Sequence, residues 1–202
     1  EVTLKTVEFT LDQKTIHAFE GETILKAAKR HGVDIPHLCY KDGYRADGNC
    51  RACVVEIKGE RTLAPSCCRN ATAGMEVQST SARAVKSQKM VLEMLLSDMP
   101  DTGYKWNEAD ATSQHGELSD WAQRMDVQVR PELKALRREQ PATDMSHPAM
   151  AVNLDACIQC NRCVRACREE QVNDVIGYAM RGAHSEIVFD LHDSMGSSTC
   201  VA

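Results

Sequence analysis

Ten cysteines in 202 residues fall into two tight groups, and cysteine thiolates are the groups in this chain best suited to do chemistry. Cys39, Cys50, Cys53 and Cys67 have the spacing C-x10-C-x2-C-x13-C, and Cys157, Cys160, Cys163 and Cys167 have C-x2-C-x2-C-x3-C. No cysteine lies between Cys68 and Cys157. Such clustering differs from the dispersed cysteines of a disulfide framework and points to metal binding in a reducing compartment. Zinc sites favour two C-x2-C knuckles, whereas the first set has only one, at Cys50 and Cys53. An iron–sulfur cluster is larger than a single ion and must be wrapped, so it tolerates a lone first cysteine on a long loop. The loop HLCYKDGYRADGNCRACVVEI has that character. Gly43 and Gly48 would let backbone amides approach the sulfides, where donated hydrogen bonds offset the negative charge of a 2Fe–2S cluster. Arg45 and Arg51 either add to that compensation or are solvated surface residues.

The second set is the bacterial ferredoxin run. In that run Cys157, Cys160 and Cys163 bind one 4Fe–4S cubane, and Cys167 enters the following helix to ligate the other. Arg168 stands where a proline is usual. The remaining partner is Cys200, in STCVA, which reads as the opening of a second run cut after its first cysteine. The first cubane would need one more cysteine and the second, with Cys167 and Cys200, two more, so the expectation is a fragment of a longer chain.

The elements that must position these residues follow from pattern. Val7, Phe9 and Leu11 alternate, as do Ile16 and Ala18, with a polar turn at Asp12–Lys14: a β-hairpin. Gly21-Glu22-Thr23 opens a short helix with Ile24, Leu25, Ala27 and Ala28, closed by Gly32. After the cysteine loop come a strand at 52–57, a turn at Lys58-Gly59 and a strand near Met75–Val77. A helix over 82–99 carries Val85, Leu92, Leu95, Leu96 and Met99 as a core-facing stripe. From Asp101 to Met150 the chain is polar and proline-punctuated, an irregular connector with helix candidates at 117–126 and 131–139 and with Trp106 and Trp121 as packing anchors. The second module offers strands at Met150–Asn153, Val175–Tyr178 and Ile187–Leu191. The predicted class is α+β: a β-grasp 2Fe–2S ferredoxin-like domain (1–80), a helix and connector (81–147), and an incomplete bacterial-type 4Fe–4S ferredoxin-like domain (148–202).

Composition excludes other classes. The charge is mildly acidic (24 Lys+Arg against 29 Asp+Glu) and aromatics are only 4%, which argues against nucleic-acid binding. No apolar run approaches the roughly 18 residues of a membrane helix, and no signal peptide is expected from the residues given, which begin at Glu1 without a methionine and so leave room for an upstream piece. The expected location is the cytoplasm. No nucleophile–base pair stands out, so the residues suit conduction rather than independent catalysis.

The first spacing and the hairpin–helix–loop–strand order resemble the amino-terminal 2Fe–2S domain shared by the large iron–sulfur subunit of respiratory complex I, iron-only hydrogenases and soluble NAD-dependent formate dehydrogenases. The resemblance implies Cys67 as fourth ligand, directly after Ala64-Pro65-Ser66, and leaves Cys68 as a packed thiol. Many relatives carry His-x3-Cys-x2-Cys-x5-Cys between the modules; here His115 is followed by Ser119, Ala122 and Gln128, so that cluster cannot form. With GNCRACVVEI and SHPAMAVNLDACIQCNRCVRACREEQVNDVIG, this absence makes the chain similar to the alpha subunit of soluble cytosolic NAD-dependent formate dehydrogenase. The resemblance implies two 4Fe–4S clusters in the intact subunit and a downstream domain holding bis-molybdopterin guanine dinucleotide with molybdenum or tungsten. It implies a hetero-oligomer in which electrons run through the 4Fe–4S centres to flavin- and NAD-binding iron–sulfur subunits, the 2Fe–2S cluster being a side branch or extra contact. This stretch alone would not turn formate over. Two other readings stay open: the iron–sulfur subunit of a NAD-reducing hydrogenase diaphorase, and a non-redox zinc-binding interaction module. His147, beside Pro148, carries no assignment.

Overall fold

The computed structural model describes residues 5–100, 116–139 and 141–200; Trp106 and His115 lie outside the described residues. The chain divides into two units, Glu1–Leu92 and Glu93–Ala202.

In the first unit β1 (Thr6–Leu11) and β2 (Lys14–Phe19) form the expected antiparallel hairpin, with Phe9 opposite Ile16. Asp12 and Gln13 at its tip both have positive φ (48° and 68°), the two-residue geometry that matches strand twist. Phe9, Leu11, Ile16 and Ala18 face inward, which is the alternation read from the sequence. Helix α1 (Ile24–Arg30) begins at Thr23, whose hydroxyl accepts the N–H of Lys26, and ends before Gly32 at φ 74°. It buries Ile24, Leu25, Ala27 and Ala28 against the sheet.

Three strands follow the cysteine loop: β3 (Val54–Ile57), β4 (Ala64–Pro65) and β5 (Glu76–Gln78). The sheet order is β2-β1-β5-β3-β4, with β1 and β5 parallel and the other pairs antiparallel. This mixed sheet with a helix laid on it is the β-grasp arrangement expected. Strand β4 was not legible because two residues show no period, and its proline is tolerated only because β4 lies at the sheet edge.

Helix α2 runs Ala82–Ser97. Its buried face differs from the apolar stripe expected: Ala84, Gln88 and Leu92 are buried, while Val85 is only partly so. Gln88 is tolerated there because its amide donates to the carbonyls of Val54 (2.8 Å) and Ser79 (3.1 Å). A glutamine that closes two backbone acceptors reads as polar in a sequence pattern yet belongs to the core.

The second unit contains α3 (Glu117–Arg124), α4 (Pro131–Lys134), α5 (Arg162–Arg165) and the antiparallel pair β6 (Ile176–Ala179) and β7 (Glu186–Phe189). Trp121 is buried as expected, with the Arg124 guanidinium 4.1 Å over its ring. Two expectations need correction. The strand at Met150–Asn153 is a single bridge between Val152 and Asp144, because the Asp144 carboxylate folds its surroundings into turns by accepting Ser146 N–H (2.9 Å) and Met195 N–H (2.7 Å). The helix expected at 131–139 stops after one turn. The N–H of Arg138 donates to Asp98 Oδ1 (3.3 Å) instead of continuing a ladder.

Candidate metal centres

The first cysteine set is delivered by three separate stretches of the first unit. Cys39 lies in the loop after α1, Cys50 and Cys53 just before β3, and Cys67 just after β4. The loop lacks ladder hydrogen bonds and is fixed by side chains: Ile35 (1% exposed), Leu38 and Tyr40 are buried. Burying each contributes about 1.5–3 kcal/mol, enough to offset the roughly 1–2 kcal/mol of backbone entropy lost per ordered residue at those positions. Tyr40 also donates to Asp42 (2.8 Å), and burial together with that carboxylate holds the phenol well above its usual pKa.

Ser66 fixes the relation between the last two thiols. Its hydroxyl (2.6 Å) and its N–H (3.1 Å) both donate to the Cys53 carbonyl, and its own carbonyl accepts Leu25 N–H. Cys67 is thereby held beside Cys53. The four side chains form a continuous chain of neighbours: Cys50 with Cys39, Cys39 with Cys67, and Cys67 with Cys53. Cys39, Cys53 and Cys67 are buried and Cys50 is half-buried. Backbone amides add to this, the N–H of Cys39 reaching Cys50 Sγ at 3.5 Å.

The electrostatics are those of a site built for thiolates. Hydrogen bonds from Cys50 and Cys67 pull the Cys39 thiol far down, to about 2, and a hydrogen bond from Cys67 holds Cys53 near 7. Cys50 and Cys67 rise correspondingly, because each gives its proton to a neighbour. Without metal the set thus shares protons among four sulfurs, and binding a metal group must release them. Among the described residues no three His, Cys, Asp or Glu side chains converge on the position of a single ion. Four neighbouring thiolates served by backbone N–H groups fit the donor set and extent of a 2Fe–2S cluster.

Cys68 is placed differently from the expectation. It is exposed rather than packed, with its Sγ 3.5 Å from Cys67 Sγ. Gly48 explains the close approach: a Cβ at this glycine would lie 2.8 Å from Cys68 Sγ, and its φ is +66°. The role of Gly48 is therefore to clear space for Cys68 as well as to turn the loop. Arg45 and Arg51 are both exposed. The proximity of Cys68 sharpens one prediction. Cys67→Ser should abolish or badly distort a 2Fe–2S signal in electron paramagnetic resonance, while Cys68→Ser should leave it intact. The reverse pattern would reassign the fourth ligand, and the double variant tests for a swap between neighbours.

In the second unit the loop carrying Cys157, Cys160 and Cys163 turns through two non-glycine residues with positive φ, Gln159 (54°) and Asn161 (65°). This curls the backbone around its cysteines, and the Gln159 N–H donates to Cys157 Sγ at 3.4 Å. The Tyr178 hydroxyl donates to the Gln159 carbonyl (3.1 Å), and burial, then the nearby charges of Cys157, Cys163 and Cys160, push the phenol up to about 12. All three thiols therefore lie near the Tyr178 hydroxyl, on one short loop whose spacing suits the ligands of a single cubane.

Cys167 is carried away from them. Helix α5 passes into a wider π-helical turn at Ala166–Glu170, which buries Cys167 among Val175, Phe189 and Met195 with Cys200 packed alongside. Its Sγ accepts Val175 N–H at 3.3 Å. Cys167 and Cys200 share a cavity of about 320 Å³ with Cys163, Ala166, Gln171 and Ile176. Three thiols, Cys163, Cys167 and Cys200, face this space, and Cys167 with Cys200 fits part of a second cluster's donor set. Sequence spacing alone did not reveal the π turn or the left-handed residues. The only available signal was the C-x3-C step that ends the run.

Comparison with known proteins agrees with this geometry. The family described as 2Fe-2S iron-sulfur cluster binding domain matches residues 4–82, in keeping with the mixed sheet and helix of this part of the chain. The chain is 34% identical over 200 residues to the NADP-reducing hydrogenase subunit HndD of Solidesulfovibrio fructosivorans, covering 95% of this chain and 32% of that one. It is 30% identical over 186 residues to the mitochondrial NADH-ubiquinone oxidoreductase 78 kDa subunit of Candida albicans, covering 91% and 25%. A solved structure of the NAD+-reducing NiFe-hydrogenase in the H2-reduced state aligns with TM-score 0.80 and 29% identity over 97% of this chain and 80% of that one. The chain spans about a third or less of the length of the two curated relatives.

Proposed function

We propose that this chain is the iron–sulfur electron-transfer region of an NAD- or NADP-linked oxidoreductase complex. The observation that carries the reading is the unbroken chain of thiols Cys50–Cys39–Cys67–Cys53, inside a domain of the 2Fe–2S family. Cys39, Cys50, Cys53 and Cys67 hold the 2Fe–2S cluster. Cys157, Cys160 and Cys163 hold one 4Fe–4S cluster, and Cys167 and Cys200 contribute to another. Bound clusters supply one-electron transfer. The chain's own task is to bury the thiols, aim backbone N–H groups at them and set the local charge. The reading divides the chain into a 2Fe–2S domain (1–80), a helix and connector (81–147) and a 4Fe–4S domain (148–202). Its setting is a cytoplasmic hetero-oligomer with flavin- and NAD-binding subunits. Among the described residues no helix is long and apolar enough to cross a membrane.

Two finer readings have specific support. The segments around Cys50 and Cys157 resemble the alpha subunit of NAD-dependent formate dehydrogenase, with formate oxidised at a molybdenum or tungsten pterin site in another domain. The likeness to an NADP-reducing hydrogenase subunit and to a NAD+-reducing hydrogenase supports the hydrogenase diaphorase reading equally. Assay of the native complex separates them. NAD(P)+ reduction driven by formate is expected on the first reading, and by H2 but not formate on the second. Reduction driven by neither donor would reject both.

A further inference from the structure

Arg138 places a buried positive charge on the backbone of the second cysteine loop. Its side chain is only 9% exposed. Nη2 donates to the Cys157 carbonyl (2.8 Å) and Nη1 to the Ser185 carbonyl (3.2 Å), while Nε faces Asp98 Oδ2 at 3.8 Å. Gln159, two residues beyond Cys157 in the loop, donates to the same Ser185 carbonyl at 2.5 Å. Arg138, Asp98 and Cys157 also line one small cavity of about 110 Å³.

Burying a guanidinium carries a desolvation penalty, which the carbonyls of Cys157 and Ser185 and the Asp98 carboxylate help to offset. Asp98 is 40% exposed, so solvent screens its charge more than that of the arginine. The guanidinium therefore sets a buried positive charge directly against the Cys157 carbonyl. Reduction of a cluster held by Cys157 adds one electron, hence one negative charge, beside this cation.

We propose that Arg138 is a positioning residue for the 4Fe–4S cluster held by Cys157, Cys160 and Cys163, fixing the Cys157 loop through its carbonyl and favouring the reduced cluster through its buried charge. The proposal rests on that cluster assignment. A purely structural staple would act through the carbonyl hydrogen bonds alone, so charge and geometry must be separated.

The test is a redox titration of the cubane signal, followed by electron paramagnetic resonance, in the full-length holoprotein and in Arg138→Met, Arg138→Lys and Asp98→Asn, with the 2Fe–2S signal as internal reference. Arg138→Met should shift the one-electron equilibrium toward the oxidised cluster by about threefold to tenfold, up to about 59 mV downward. Arg138→Lys should stay near the wild-type midpoint even if the protein melts at lower temperature. Asp98→Asn should move the midpoint upward. An unchanged midpoint in Arg138→Met, or a fall in Asp98→Asn, overturns the proposal. If Arg138→Met does not keep the cluster, Asp98→Asn alone decides. Absence of any cubane signal from the wild type would instead overturn the cluster assignment, and the proposal with it.

Discussion

Replacing Cys39 by serine is expected to remove the 2Fe–2S cluster outright. Cys39 occupies a central place in the thiol chain, touching both Cys50 and Cys67, and it is the thiol most strongly stabilised as the thiolate. A hydroxyl at this position would not ionise near neutral pH, so the two neighbouring thiols would lose the anion to which they donate. The purified variant should lose the visible absorption and the paramagnetic signal of the reduced 2Fe–2S centre, with the cubane signals kept. The loop should also loosen, and amide exchange between residues 39 and 50 should quicken, because metal binding contributes folding free energy at such sites. A full-intensity signal in Cys39→Ser would remove Cys39 from the ligand set.

The second large effect concerns conduction. In the complete subunit Cys157→Ala is expected to cut electron flow from the substrate site to NAD(P)+ by about 10–100-fold or more, the scale at which even outer-shell changes act on metal sites. Substrate oxidation with an artificial acceptor that draws electrons directly from the substrate site should survive much better. The contrast follows from position. Cys157 lies on one short loop with Cys160 and Cys163, near Tyr178, where a cluster would carry electrons rather than act on substrate. The two assays are run on one preparation that retains the metal of its substrate site. Equal loss in both would mean that these cysteines do more than support electron transfer.

Much of this arrangement is legible in the sequence because it is local. The Phe9 and Leu11 alternation, the Thr23 cap, the Gly32 stop and the cysteine spacings each report a short-range constraint, and the hairpin and α1 stand where those signals put them. What stayed hidden depends on partners distant in the chain. Gln88 is buried only because Val54 and Ser79 present carbonyls to it. The helix after Pro131 gives way to tighter turns at Leu136 and Arg137, and the N–H of Arg138 then goes to Asp98. Cys68 is exposed, and its sulfur can pass close to the loop only because Gly48, twenty residues earlier, has no Cβ there. The π turn that carries Cys167 inward has no periodic signature, since it adds one residue to a helix only a few residues long.

The central claim is that Cys39, Cys50, Cys53 and Cys67 hold a 2Fe–2S cluster. The most direct measurement is iron, sulfide and zinc analysis of the anaerobically purified chain, combined with electron paramagnetic resonance of the dithionite-reduced protein at liquid-nitrogen temperature, where signals of cubanes relax away. The account predicts iron and acid-labile sulfide in equal amounts, negligible zinc, and a spin-half signal that is lost in Cys39→Ser and kept in Cys68→Ser. A colourless protein with stoichiometric zinc, or iron without that signal, would contradict it.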